Sequence, residues 1–317
     1  MASSKLSTNQ QMGSVWNLGG LSIAQLARRT WQGINDNNLF GRASELAYSY
    51  LVAIFPLLIF LLSCFGLFAS RSSELINKLF FYFSRVLPPA ANDVVAKTIS
   101  EVTKNSGGAK VTLGLLLALV SASGGMNSMI SALNGAYAVR DSRPWYKTRA
   151  IAIVLTVAIS ILIFAALFMV LVGSTVADWI GYHLHVGSLA IMAWKWVQWP
   201  AALFFVVLSF SLIYYYGPDV KEQHWYWITP GSLVGVLLWI GFSAAFRVYL
   251  HFFNSYSRTY GSLGAVIILL LWFYVTGLAF TVGGQINAEI EHAAALNGHP
   301  EAKAPGEKVA NDTKQAA

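Results

Sequence analysis

Residues 150–177 read AIAIVLTVAISILIFAALFMVLVGSTVA, 28 positions without a charged side chain between Arg149 and Asp178. An α-helix rises about 1.5 Å per residue, so roughly 20 apolar residues cross the hydrocarbon core of a bilayer. The stretch is long enough to span. Five further runs also lack Asp, Glu, Lys and Arg: Leu46 to Ser70, Val111 to Val139, Trp196 to Pro218, Gln223 to Phe246 and Thr259 to Ala288, of 25, 29, 23, 24 and 30 residues. Six such helices in a soluble domain would leave no amphipathic layer to cover them. The predicted fold class is all-α: a polytopic membrane protein with six transmembrane helices, plus amphipathic helices at the N-terminus and in the first extracytoplasmic connection.

Composition points the same way. Only 11% of the 317 residues are charged, against about 25% in an ordinary soluble domain. The net charge of +7 would suit nucleic acid in a soluble protein. In a membrane protein a basic excess fits loops facing anionic headgroups, so the expected partners are membrane lipids and no nucleic acid. Cys64, the single cysteine, falls in the first run, where it reads as a packing residue. No basic segment followed by an apolar one precedes Gly41, so the first span is expected to act as an uncleaved signal anchor.

Residues 1–21 form a polar tail that is expected to be disordered. Over 22–42 a helical period places Ile23, Leu26, Ala27, Trp31 and Ile34 on one face, with Arg28, Arg29, Gln32 and Asp36 elsewhere. That pattern fits a helix lying in the membrane interface and equally a helix packed on the bundle. The transmembrane domain is predicted over 43–291. Within it, the connection from Arg71 to Lys110 carries two amphipathic faces, Leu75 to Leu87 and Val94 to Val102, separated by Pro88-Pro89. A helical hairpin is predicted there. Residues 292–317 read as a solvated tail.

Orientation follows the Lys and Arg near the span ends. With the N-terminus inside, twelve basic residues fall on the cytoplasmic side and nine outside. The densest cluster, Arg140, Arg143, Lys147 and Arg149, lies on the cytoplasmic side. Both termini are therefore predicted to be cytoplasmic.

Polar and small residues inside spans are where membrane function usually resides. The second span carries Ser123, Gly124, Gly125, Asn127 and Asn134, a set that suits either close helix packing or a hydrated path. Gly231 and Gly235 make a GxxxG pair in the fifth. The sixth offers Thr281, Asn287 and Glu289, and Glu289 would share the cytoplasmic side with Glu45, either as a paired site or as two solvated carboxylates. Pro56 and Pro200 could be equivalent positions of a three-plus-three arrangement. The six histidines are scattered, no cofactor or nucleotide motif occurs, and neither a metal site nor a cofactor is expected.

Several stretches resemble the YihY/BrkB family of bacterial membrane proteins, historically also labelled ribonuclease BN-like. They are Ala43 to Tyr50 with Phe55-Pro56, Ser131 to Tyr137 with the basic segment after it, Tyr216-Gly217-Pro218-Asp219, Trp227 to Gly231, Tyr260-Gly261-Ser262-Leu263-Gly264 and Gly284 to Glu289. The resemblance implies six spans in a bacterial inner membrane with both termini cytoplasmic. It adds Asp219, Tyr260 and Gly261 to the candidates for a polar path or helix packing. It also implies transport or flipping of an envelope lipid or amphiphile, and a non-transporting structural or assembly factor stands as the alternative. The nuclease label lacks a catalytic set in these residues, and no enzyme is expected.

Overall fold

The computed structural model describes residues 16–53, 108–184, 188–220, 228–252 and 262–297. Among these the chain is helical and carries no strand. A 3-10 turn at Leu18–Gly20 precedes α1 (Ile23–Asp36) and α2 (39–53). Then come α3 (Gly108–Ala136), α4 (Trp145–Leu184), α5 (Ser188–Tyr216), α6 (Pro230–Phe252) and α7 (Ser262–Leu296).

Four helical stretches among the described residues are long and apolar enough to cross a membrane: Trp145–Ala166, Met192–Tyr216, Pro230–Leu250 and Val266–Leu296. They coincide with the third to sixth predicted spans. Val154, Ile161, Phe164 and Leu237 on these helices are exposed, apolar surface that suits lipid rather than water. Pro56, Cys64, Tyr260, Gly261, most of the first span and the predicted hairpin up to position 107 lie outside the described residues.

Helices α4 and α5 pack along each other, as do α6 and α7, while α3 touches α4 and α7. The core between them joins Leu46, Met126, Ile130, Leu133, Leu155, Ile213, Tyr214 and Phe280. Helix α1 and the 3-10 turn lie against α7.

Three boundaries differ from the sequence expectation, each for a local reason. The helix predicted over 22–42 starts at a capping box, Ser22 N–H to Gln25 Oε1 at 2.9 Å and Gln25 N–H to Ser22 Oγ at 3.3 Å. It then breaks at Asn37-Asn38, because Asn38 adopts φ 50°, a left-handed conformation that asparagine tolerates better than most residues. Helix α6 begins at Pro230, seven residues later than the charge-free run from Gln223. Thr229 and Ser232 cap each other there, with N–H to Oγ distances of 3.0 and 3.1 Å, and proline suits the first helical position, where no N–H is needed. The last helix continues past position 292 to Leu296, because His292, Ala293 and Ala294 are buried and Gly19 is close to the last two.

The apolar stripe of α1 is divided. Thr30, Gly33 and Ile34 are buried, whereas Ile23 and Trp31 remain 78% and 60% exposed.

Candidate functional site: an arginine-lined cavity

The site is built where α3 ends. Ala138 takes φ 53°, Val139 N–H donates to the Asn134 carbonyl at 2.8 Å and Ala138 N–H to the Gly135 carbonyl at 3.0 Å. This is a Schellman turn with alanine in the place usually held by glycine. Val139 is buried in an apolar cluster with Ala136, Tyr137, Val220 and Ala288. The turn sets the course of residues 139–143, and the side chain of Asn134 ties that course to the end of α5. Its Oδ1 accepts the Asp219 N–H at 2.7 Å, and its Nδ2 donates to Asp141 Oδ2 at 3.2 Å.

Asp219 in turn accepts from the Ser142 N–H and hydroxyl, both at 2.7 Å. Arg143 grips both oxygens of Asp141, at 2.9 and 2.8 Å, and donates to the Gly217 carbonyl at 2.9 Å. Its Nε stands 3.7 Å from Asp219 Oδ1. Burial pushes the Asp141 carboxyl upward, but the bonds from Arg143 outweigh it and hold the group below the ordinary carboxylate range, as a bidentate guanidinium does.

Beside this network lies a cavity of about 550 Å³. Its lining includes Asn127, Ser131 and Asn134 of α3, Trp145, Thr148 and Arg149 of α4, Arg42 of α2, and Arg140, Asp141 and Arg143 of the connection. Asn127 stands about 14 Å along α3 from Ala136 at 1.5 Å per residue. Arg42 donates to the carbonyls of Asn37 at 3.0 Å and Ser131 at 3.1 Å, in space left by the missing side chain of Gly135. Arg149 donates to the Val120 carbonyl at 2.8 Å. Arg140 makes no hydrogen bond or ion pair among the described residues. Of the four guanidinium groups, only that of Arg143 meets carboxylates among those residues.

The predicted candidates divide between this cavity and the packing of the bundle. Asn127 and Asn134 line the cavity, and Asp219 lies behind it. Ser123 is fully buried and donates to its own helix at Val120 O, 2.8 Å away. A side chain added at Gly124 would meet open space, whereas Gly125 lies against the Tyr50 ring. Thr281 is buried and bonds back to the Gly277 carbonyl at 3.0 Å. Gly231 and Gly235 approach Gly283 and Tyr214 so closely that no Cβ fits at 231 or 283. Asn287 joins the same contact, its Oδ1 accepting the Gly231 N–H at 2.9 Å and its Nδ2 donating to Thr229 Oγ1 at 3.0 Å.

Glu289 accepts from Gln285 Nε2 at 2.8 Å, and Gln285 Oε1 accepts from Asn37 at 3.0 Å. Glu45 is exposed, and no bond links it to Glu289 among the described residues. Helix α3 therefore borders the cavity, while Gln285 and Asn287 of α7 hold helices together. Arg42, Gly135, Asp141 and Arg143 escaped the sequence reading as site residues. The basic cluster from Arg140 to Arg149 is the signal for Asp141 and Arg143, whereas Arg42 and Gly135 meet only through the contact of α2 with α3.

A sequence profile of the family described as "Virulence factor BrkB" matches residues 30–307, which contain every residue of the cavity. The chain belongs to the virulence factor BrkB family. Among BrkB relatives, the chain is 30% identical over 247 residues to the protein named "Putative ribonuclease-like protein YfkH" of Bacillus subtilis, covering 78% of this chain and 88% of that one. It is also 30% identical over 283 residues to a UPF0761 membrane protein of Xanthomonas oryzae pv. oryzae, covering 87% of this chain and 62% of that one. A Xanthomonas campestris UPF0761 membrane protein matches at 30% over 287 residues, covering 88% and 63%. The BrkB chain thus spans about three fifths of the length of its Xanthomonas relatives. No solved structure matches it. With its apolar helices and its membrane-protein relatives, this BrkB protein is a multi-pass membrane protein.

Proposed function

We propose that this BrkB protein moves an envelope lipid or similar amphiphile across the bacterial inner membrane, with both termini in the cytoplasm. The cavity carries the reading. A space of about 550 Å³ is in the usual range for a ligand site, and lining such a space with two amides and four guanidinium groups is costly in a bilayer unless it meets water or a polar ligand. The charge count around Arg140 to Arg149 supports a mouth that faces the cytoplasm. No cofactor enters this function, and the chemistry is displacement rather than bond making.

The test uses the purified full chain in vesicles that contain a bacterial lipid extract and a trace of headgroup-labelled phospholipid. Protein-dependent loss of label from the protected leaflet is expected. Absence of any protein-dependent movement, across labelled anionic and zwitterionic lipids, would sink the reading. The contact of Gly231, Gly283 and Asn287 favours a second reading, an assembly factor for the envelope, because it commits polar residues of α7 to packing. That reading expects no lipid movement but an envelope defect on depletion. A nuclease activity that survives purification and disappears with a point substitution would overturn both.

A further inference from the structure

The cavity has a pronounced charge imbalance. Arg42, Arg140, Arg143 and Arg149 line it, and Asp141 is the one acidic residue among its lining. Asp141 is already engaged by two nitrogens of Arg143. Arg42 and Arg149 donate only to backbone carbonyls among the described residues, which satisfies some N–H groups but leaves their charge uncompensated. Guanidinium groups gathered around one half-open space repel one another, and an anion between them relieves that repulsion.

We infer that the cavity is a binding site for an anionic phosphate group, held by Arg140 and Arg149 with Arg42 as the third cation. The inference rests on the translocation reading for its physiological role, while the site itself can be tested independently. Three observations carry it. The planar fork of arginine matches two phosphate oxygens, which a lysine-rich surface patch would not do. Arg42 is fixed in place by two carbonyls and by the space at Gly135, so it is preorganised rather than waving in solvent. The amide of Asn127 and the hydroxyl of Ser131 line the same space and can complete the coordination of an oxyanion. An acyl-bearing phosphate and a free phosphate share this chemistry.

Binding of short-chain phosphatidic acid, short-chain phosphatidylcholine and inorganic phosphate is measured by titration calorimetry on the full chain in phosphatidylcholine nanodiscs. Phosphatidic acid is expected to bind, and the Arg140→Gln, Arg149→Gln double variant to bind it about tenfold more weakly or worse, as befits lost charge-assisted hydrogen bonds. Arg140→Gln alone guards against misfolding, since Arg140 has no structural partner among the described residues. If phosphatidic acid exceeds inorganic phosphate in affinity, the ligand is a lipid headgroup. Equal affinities assign the site to free phosphate.

Equal binding of phosphatidic acid and phosphatidylcholine, or equal binding to wild type and Arg140→Gln, overturns the inference. The translocation reading fails separately. Vesicles that move both lipid classes with no effect of the arginine substitutions leave translocation standing without the phosphate site. Arginine-dependent binding with no lipid movement does the reverse.

Discussion

The guanidinium of Arg42 occupies the volume that a side chain at position 135 would need, so Gly135 on α3 and Arg42 on α2 form one fitted pair. Glycine is required here by a close approach of a neighbouring side chain rather than by an unusual backbone angle.

Gly135→Ala should therefore cost about 1–3 kcal/mol, the usual range for overpacking, and should pull Arg42 from the Ser131 carbonyl. In an Arg42→Ala background the same change should be close to neutral. Thermal unfolding in detergent across the four proteins of this double-mutant cycle reads the coupling. An equal cost in both backgrounds would show that the pair does not interact.

Ala138 points in the opposite direction. An alanine in the left-handed region is strained by about 1 kcal/mol or slightly more, and glycine is not. Ala138→Gly should raise the unfolding midpoint while leaving the cavity residues in place. A lower midpoint would mean that another contact of the methyl group outweighs the backbone strain.

Between α6 and α7, Asn287 accepts from Gly231 and donates to Thr229, and Asn287→Ala removes both bonds and leaves a buried N–H without its partner. A loss of about 1–3 kcal/mol is expected. Asn287→Asp should restore the acceptor and lose the donor, and so fall between the two in the same unfolding assay. Wild-type stability in the alanine variant would remove Asn287 from the packing account.

Asp141 gives a signed pH dependence. Its folded carboxyl lies below the ordinary value of 3.8, so its contribution to stability is complete above that value and is lost as pH falls through the lower, folded one. The side chain is partly solvated, which keeps the contribution modest. Wild type should lose more stability than Asp141→Asn as acid is added, and the two should converge at the lowest pH. Parallel curves would contradict the role given to Arg143.

Cysteine labelling separates cavity from core. In a background with Cys64→Ala, Asn127→Cys should react with a charged, water-soluble maleimide, whereas Ser123→Cys and Thr281→Cys should resist it. Protection of Asn127→Cys in the folded protein would mean that water does not reach this part of α3.

Much of the scaffold was legible because the bilayer imposes a simple rule: a charge-free run of sufficient length has few alternatives to a spanning helix. The runs beginning at Ala150, Trp196, Gln223 and Thr259 reappear as α4 to α7 for that reason. Their ends were less legible. Pro230 and the Thr229–Ser232 cap shorten one helix locally, and the Gly19 contact extends another through a neighbour distant in sequence. The candidate site was only half legible. Asn127 and Asn134 stood out as amides in apolar surroundings, but Thr281 and Ser123 looked identical by that test and prove to bond within their own helices. Whether a hydroxyl faces a cavity or its own backbone depends on helix rotation, which composition does not record. Arg42 and Gly135 became a site only through contact between two helices separated by a long connection.

The seating of Gly19 and α1 on α7 has a temporal meaning as well. Asn297 donates to the Gly19 carbonyl at 2.8 Å across 278 positions of sequence, and closing so long a loop comes late in folding. A ribosome emits the α1 segment before α7, yet its resting place does not exist until α7 has been made. For most of its synthesis the protein thus carries an amphipathic segment with the face of Thr30, Gly33 and Ile34 uncovered, and the nearest apolar surface is the membrane itself. Helix α1 emerges before α7 and docks only after it.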